Sequence, residues 1–323
     1  MLQFLTYLFI AIYTATVIGI ILVVILGNRN PLKTIPWVVV LIFAPVVGLV
    51  FYFFFGQDLR RKRIISRRTY KRLMVYALPA HVRRSDAPVP AACQSLSTLL
   101  TNTSQAVSFY GSRLTHYGDG ASKMTALLEE IEKARDHIHI LYYIFCDDET
   151  GARLQQALIR KAKEGVKVRV LYDDVGCNGV KKEFFQQMRD AGAEVHALLH
   201  VRFPMLTDRV NYRNHRKIVV IDGRVGFVGG MNLAERYMRG FSWGIWRDTH
   251  LLLEGKVVHG LQTAFLLDWY FVDRTLITSA RYFPKVDVCG TSLAQIVTAE
   301  PIGPWKEIMQ GPVSYTHLTL PTN

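Results

Sequence analysis

From Met1 to Gly27 the chain carries no charged side chain. A second uncharged run, Ile35 to Phe55, follows the polar break Asn28-Arg29-Asn30-Pro31-Leu32-Lys33. No other feature restricts the fold so tightly. In hydrocarbon a backbone must satisfy its own N–H and C=O groups, and each run reaches the roughly 20 residues a helix needs to cross a bilayer. A cleaved signal peptide would bring a basic leader and an A-x-A site; neither is present, and a second span follows at once. The reading is a two-helix transmembrane hairpin over residues 1–58, with Pro36 easily placed near the start of its second helix and Pro45 kinking the interior.

Orientation comes from Arg60, Arg61, Lys62, Arg63, Arg67, Arg68, Lys71 and Arg72, directly after the second run. Basic residues stay on the cytoplasmic side, so this cluster and all that follows are expected in the cytoplasm, and the N-terminus with them. Arg29 and Lys33 in the connecting loop are outweighed. The formal net charge of +13 and a pI near 9.6 call for an anionic partner: lipid, nucleic acid or a phosphorylated substrate. A basic cluster beside a membrane span favours anionic lipid, at about 1 kcal/mol per residue near the surface, and no nucleic-acid partner is expected. Residues 59–105 read as a basic juxtamembrane segment and a linker, the latter from Pro79, Pro88, Pro90 and small residues between Ala77 and Ser97. The four cysteines lack zinc spacing and read as reduced, mostly buried thiols.

Residues 106–285 alternate strand and helix patterns. Met124–Arg135 has helical spacing, and His137–Phe145 is rich in β-branched and aromatic residues. Arg153–Glu164 reads as a helix ending at Gly165, and Val166–Tyr172 as the next strand. Phe184–Ala191, ended by Gly192, and Glu194–Leu199 repeat the alternation. The fold class is α/β, with helices on both faces of a mixed sheet. The pairs Asp147-Asp148 and Asp173-Asp174 read as strand terminators rather than metal ligands. His137 and His139 lack a partner cluster and read as solvent-facing strand positions; no metal and no cofactor is expected. Val201–Arg213 is expected as an exposed loop, and Asp268-Trp269 as part of a core-packed helix, Val257–Tyr270.

Asn214 to Asn232, N-H-R-K-I-V-V-I-D-G-R-V-G-F-V-G-G-M-N, carries the chemistry. His215 and Lys217 lie two apart, so on a strand both side chains leave the same face. Neutral imidazole can attack phosphorus, and an ammonium group can stabilise charge on phosphoryl oxygens. Asp222-Gly223 reads as a tight turn into Val225–Val228, and Asp222 has the wrong parity to join the pair. Gly229-Gly230 and Asn232 close the segment.

His215-x-Lys217-x4-Asp222 with Gly229-Gly230-x-Asn232 resembles the HKD motif of the phospholipase D superfamily. The chain as far as about Gly311 is similar to the N-terminal part of bacterial cardiolipin synthases. The matches are N-R-N-P-L-K-T at Asn28–Thr34, F-G-Q-D-L-R at Phe55–Arg60, Tyr143–Asp147 and W-R-D-T-H at Trp246–His250. The resemblance implies a phospholipase D-like α/β/α sandwich, the first of two expected halves, after the membrane hairpin. It implies metal-free phosphatidyl transfer between two phosphatidylglycerol molecules through a phosphohistidine, releasing glycerol, at a bacterial inner membrane. His215, Lys217 and Asp222 would be catalytic residues. Lys217 and Asn232 would bind the substrate phosphate, and Asp222 would support local geometry; His215 would be either nucleophile or leaving-group acid.

The family pattern has two motifs, and this sequence has one H-x-K-x4-D. Residues 286–312 resemble the opening of a truncated second domain, a strand entering a helix across Ile296–Met309. Residues 313–323 resemble a sequencing-library adapter read as protein, so a native end near Gly311–Pro312 and an inactive fragment are expected. Two other readings stand beside this one: a single-motif nuclease or phospholipase completing its site as a homodimer, and a non-catalytic membrane protein that keeps the fold.

Overall fold

In a computed structural model, the residues described are 1–26, 31–44, 47–48, 51–52, 87–199, 213–242, 244–275 and 277–299. Several sequence expectations fall outside them: residues 28–30 of the loop between the uncharged runs, Pro45, the basic cluster Arg60–Arg72, most of the Val201–Arg213 loop, most of the helix expected within Ile296–Met309 and the tail 313–323. The chain divides into two compact units, Met1–Lys62 with Arg202–Asn211, and the remainder.

In the first unit, α1 (Leu2–Leu26) is a 25-residue helix without a charged residue, and α2 (Pro31–Phe43) carries Pro36 in its first turns. Among the described residues no helix is long and apolar enough to cross a membrane.

Among the described residues the first element of the second unit is α3 (Ala91–Ser104), a helix in a stretch expected as connector. The remaining elements are β1 (Ser108–Tyr117), α4 (Gly120–Lys133), β2 (His137–Tyr142), α5 (Glu149–Lys163), β3 (Lys167–Asp173), α6 (Lys182–Asp190), β4 (Glu194–Leu198), β5 (Ile218–Ile221), β6 (Val225–Gly229), α7 (Glu235–Arg239), β7 (His250–Glu254), α8 (Val258–Asp273) and β8 (Ser292–Gln295). Among the described residues they build one sheet of order β4-β3-β2-β5-β6-β7-β1-β8. β2, β3 and β4 run parallel; the pairings β2–β5, β5–β6, β6–β7, β7–β1 and β1–β8 are antiparallel. The sheet is mixed, as its sequence implies. β8, from the segment read as the start of another domain, pairs with β1 here.

Strand alternation sorts the side chains onto two apolar layers. Ile138, Ile140, Val168, Val170, Val219 and Phe227 pack under Leu127 and Ile131 of α4, Leu154 and Leu158 of α5, and Phe185 and Met188 of α6. Leu141, Leu171, Ile218, Val220 and Leu253 face Leu261, Phe265 and Trp269 of α8, which confirms Trp269 as core. Asp119 and Asp148 cap α4 and α5 by accepting from Ser122 N–H and Gly151 N–H, so both helices begin about four residues before the first apolar repeat suggests.

The double covering overturns the expectation for His137 and His139. Both are fully buried, because the face they share with Leu141 is roofed by α8 and Tyr282. The His139 ring stacks on Phe265 with centroids 4.5 Å apart. Its Nε2 accepts from Arg169 (3.2 Å), and its Nδ1 lies against the Gln262 side-chain amide, 2.8 Å from Nε2 and 3.2 Å from Oε1. The cysteines also differ from expectation: all four are free, but only Cys177 is buried and the others are half-buried.

Candidate active site

One edge of the sheet gathers the polar residues of the motif. There β2 and β3 end, β5 and β7 begin, and β6 ends. His215 and Lys217 lie just ahead of β5, in a stretch without regular structure, yet the alternation of side chains persists. Lys217 Nζ is 3.1 Å from His215 Nδ1 and donates to His215 O at 2.6 Å. Asn214 and Arg216, between and beside them, instead reach Asp268 of α8: Asn214 Nδ2 donates at 3.0 Å and the Arg216 guanidinium at 2.6 and 2.7 Å. The opposite faces of this stretch thus separate the reactive pair from its mooring.

A second mooring lies one residue earlier. Arg213 donates to both carboxylate oxygens of Asp173 at the end of β3 (2.7 and 2.9 Å) and to Leu199 O (2.9 Å). Asp173 also accepts from Val175 N–H and Gly176 N–H, in keeping with a strand-terminating role. Tyr143, the first residue past β2, presents its ring to His215 with centroids 4.0 Å apart, and Lys217 Nζ lies 5.5 Å from the centre of the same ring.

Asn232 is buried. Its Oδ1 accepts from Ile144 N–H (3.1 Å) and its Nδ2 donates to Tyr237 Oη (2.6 Å). Backbone bonds from Leu233 N–H to Ile144 O and from Cys146 N–H to Leu233 O join the segments after β6 and β2. They bring Asn232 beside the backbone that follows Tyr143. Among the described residues the second amide hydrogen of Asn232 has no acceptor. The two glycines before it are explained by close approach: a Cβ on Gly230 would lie 2.1 Å from Asp248 Oδ1, and one on Gly229 would lie 2.6 Å from His250 Nδ1.

Asp222 is not part of this cluster. It sits beyond the other end of β5, five residues from Lys217 and so about 16 Å away along the chain. In the turn at φ 52° it accepts from Arg135 N–H (2.9 Å), Asp136 N–H (2.8 Å) and His137 N–H (2.9 Å). The parity argument holds: Asp222 fastens the β5–β6 turn to the start of β2.

Burial dominates the electrostatics. It pushes Lys217 down to about 8, against the opposing influence of Asp248. Burial and then the Lys217 charge hold His215 below its ordinary value, with Asp173 pulling the other way. The ring is therefore neutral at pH 7 beside a largely charged lysine. Donation from the ammonium group to Nδ1 leaves the ring proton on Nε2. Beneath them His250 is fully buried with neither ring nitrogen bonded, pushed down to about 2 by burial and by the charges of Lys123 and Lys217. Lys123 of α4, also fully buried, donates to Tyr142 Oη at 2.8 Å, and burial pushes it down to about 7. Among the described residues no group of three His, Cys, Asp or Glu side chains is placed to hold a metal ion.

Sequence reading did not single out Tyr143, Arg213 or Asp248 for the site. Asp248 lay within the W-R-D-T-H match at Trp246–His250, but nothing there tied it to Gly230. Nothing local marks Arg213, whose partner lies forty residues earlier.

A family model described as "Cardiolipin synthase, PLD-like domain" matches residues 127–243, and one described as "Phospholipase_D-nuclease N-terminal" matches residues 14–57. The chain is 38% identical over 303 residues to "Major cardiolipin synthase ClsA" of Bacillus subtilis (strain 168), covering 90% of this chain and 63% of that protein. It is 36% identical over 318 residues to "Cardiolipin synthase" of Listeria innocua, covering 95% of this chain and 66% of that protein. The chain thus spans a little under two thirds of the length of these relatives. Among solved structures, NucT from Helicobacter pylori aligns with a TM-score of 0.39 and 16% identity, over 50% of this chain and 98% of that one.

Proposed function

This chain belongs to the cardiolipin synthases of the phospholipase D superfamily, and from that premise we propose that it supplies one catalytic half of a phosphatidyl transfer. The substrate is phosphatidylglycerol. In the first step a histidine nitrogen bonds to phosphorus while the P–O bond to the headgroup glycerol breaks, and glycerol leaves with a proton. In the second, the headgroup hydroxyl of another phosphatidylglycerol gives up its proton and bonds to phosphorus. The N–P bond breaks and cardiolipin forms. No nucleotide or metal enters this balance.

The observation that carries the reading is the pairing of a neutral His215 with a charged Lys217, 3.1 Å apart. To protonate a leaving glycerol oxygen, His215 would first have to take up a second proton, because the neutral ring is too weak an acid to give up its one N–H. To act as nucleophile it must free Nε2 by moving the proton to Nδ1. That becomes possible when a phosphoryl oxygen draws Lys217 away, since an ammonium group cannot accept a hydrogen bond. Lys217 and the spare Asn232 N–H would then hold the phosphoryl oxygens. A second histidine, from a second H-x-K-x4-D segment, would take the complementary role.

The membrane placement belongs to the same proposal. The uncharged runs Met1–Gly27 and Ile35–Phe55 form a two-helix hairpin in the inner membrane, with the catalytic unit on the cytoplasmic side. Support comes from the 25-residue uncharged α1 and from the N-terminal family match at 14–57.

The test uses vesicles of phosphatidylglycerol and the chain supplied with a second-motif half. Glycerol release and cardiolipin formation are expected, with both lost in His215→Ala. Undiminished glycerol release by that variant removes His215 from the mechanism. Cardiolipin made by the present chain alone would favour the single-motif homodimer instead.

A further inference from the structure

Outside the N-terminal unit most large apolar side chains are covered, but the loop between α7 and β7 holds one out. Ile245 is 84% exposed and Phe241 is 38% exposed. Arg247 is exposed beside them. The loop has a built base. Phe241 N–H donates to Gly244 O at 2.8 Å, and Gly244 N–H returns to Phe241 O at 3.1 Å. Trp246 packs against both Tyr237 and Phe241, with ring centroids 5.0 and 5.6 Å apart.

That base is shared with the site. Tyr237 accepts from Asn232, and Asp248, two residues past Trp246, lies against Gly230. The tip and the reactive edge are therefore held by the same few contacts.

We propose that Phe241, Ile245 and Arg247 form an interfacial anchor that enters an anionic lipid surface and holds His215 at headgroup depth. This rests on the reading of the site as one for lipid phosphodiesters. A branched apolar side chain left in water beside a guanidinium suits the boundary between acyl chains and phosphates, where one group is desolvated and the other pairs with the headgroup. A protein partner is the poorer match. A stable protein interface needs some 800 Å² on each side, whereas the described residues of this tip offer one isoleucine and the edge of one ring.

The test reads position rather than turnover. Dansylalanine is placed by codon suppression at position 245, or at 288 as a control, in the full chain reconstituted into phosphatidylglycerol vesicles. Val288, 66% exposed, marks an apolar position away from the loop. Expected are a blue-shifted emission at 245 but not at 288, and quenching by lipids carrying a nitroxide near the acyl carbonyl. Arg247→Glu should cut the quenching at least twofold, as should phosphatidylcholine vesicles. Water-like emission at 245 overturns the anchor. So does a blue shift without lipid quenching, which would mean that protein covers the tip. Quenching that persists while glycerol release fails even with the second-motif half supplied supports the anchor and counts against the reaction.

Discussion

At Lys217, burial and the proposed phosphate-binding role pull in opposite directions: that role uses the ammonium form, and desolvation pushes the group down to about 8. A base with a lowered pKa loses its proton earlier as pH rises. Hence kcat/KM for glycerol release should fall above about pH 8, approaching tenfold per unit. Lys217→Arg keeps its charge there, so its profile should lose the alkaline limb even if its rate is low. An unchanged limb in that variant would assign the titration to another group. Asp222 calls for a different readout. Its carboxylate accepts three backbone N–H bonds and touches nothing at the reactive edge, so Asp222→Ala should cost about 2–4 kcal/mol in urea unfolding. Glycerol release per folded molecule should survive. Asp222→Asn, which tolerates positive φ and keeps one acceptor oxygen, should cost less.

At the scale of elements, the stretch Arg213–Lys217 owes its shape to two ion pairs rather than to a ladder. Arg213 and Asp173 are almost wholly buried, so Arg213→Ala strands a carboxylate and should cost about 3–5 kcal/mol, measured as a shift in the denaturation midpoint. Because the same change unmoors His215, activity should fall further than stability explains. The elements themselves were largely legible. β3, β4, β5 and α6 follow their apolar periods to within a residue or two, and Gly165 and Gly192, both at positive φ, end their helices as expected. The motif also told the truth about parity: Asp222 stands apart from His215 and Lys217. Burial of His137 and His139 was not legible, because alternation tells which side of a strand a residue takes and not what lies above that side. The Arg213–Asp173 pair was hidden for a related reason: it depends on which strands become neighbours.

For the molecule as a whole, the cost of these buried bases should appear as acid sensitivity. His137, His139 and His250 all have folded values below 6.5, and burial is the leading cause for each. As pH falls below 6.5 the unfolded chain takes up these protons first. Each histidine should therefore remove about 1.4 kcal/mol of stability per pH unit until its folded value is reached. Stability is full above 6.5 and declines below it. His250→Met should flatten the slope between pH 6 and 5, since burial keeps the folded value of His250 at about 2; an unaltered slope would mean that the ring is already solvated or paired. The two edges of the sheet add a last consequence. Strand β5 runs from the reactive edge at Lys217 to the fastening at Asp222, so the four intervening residues act as a gauge of length. Side chains alternate with a period of two, so one inserted valine between Val219 and Val220 cannot keep both ends in register. Either the lysine leaves its ring or the aspartate leaves its three amides. In this protein the number in H-x-K-x4-D is the width of a sheet, written in residues.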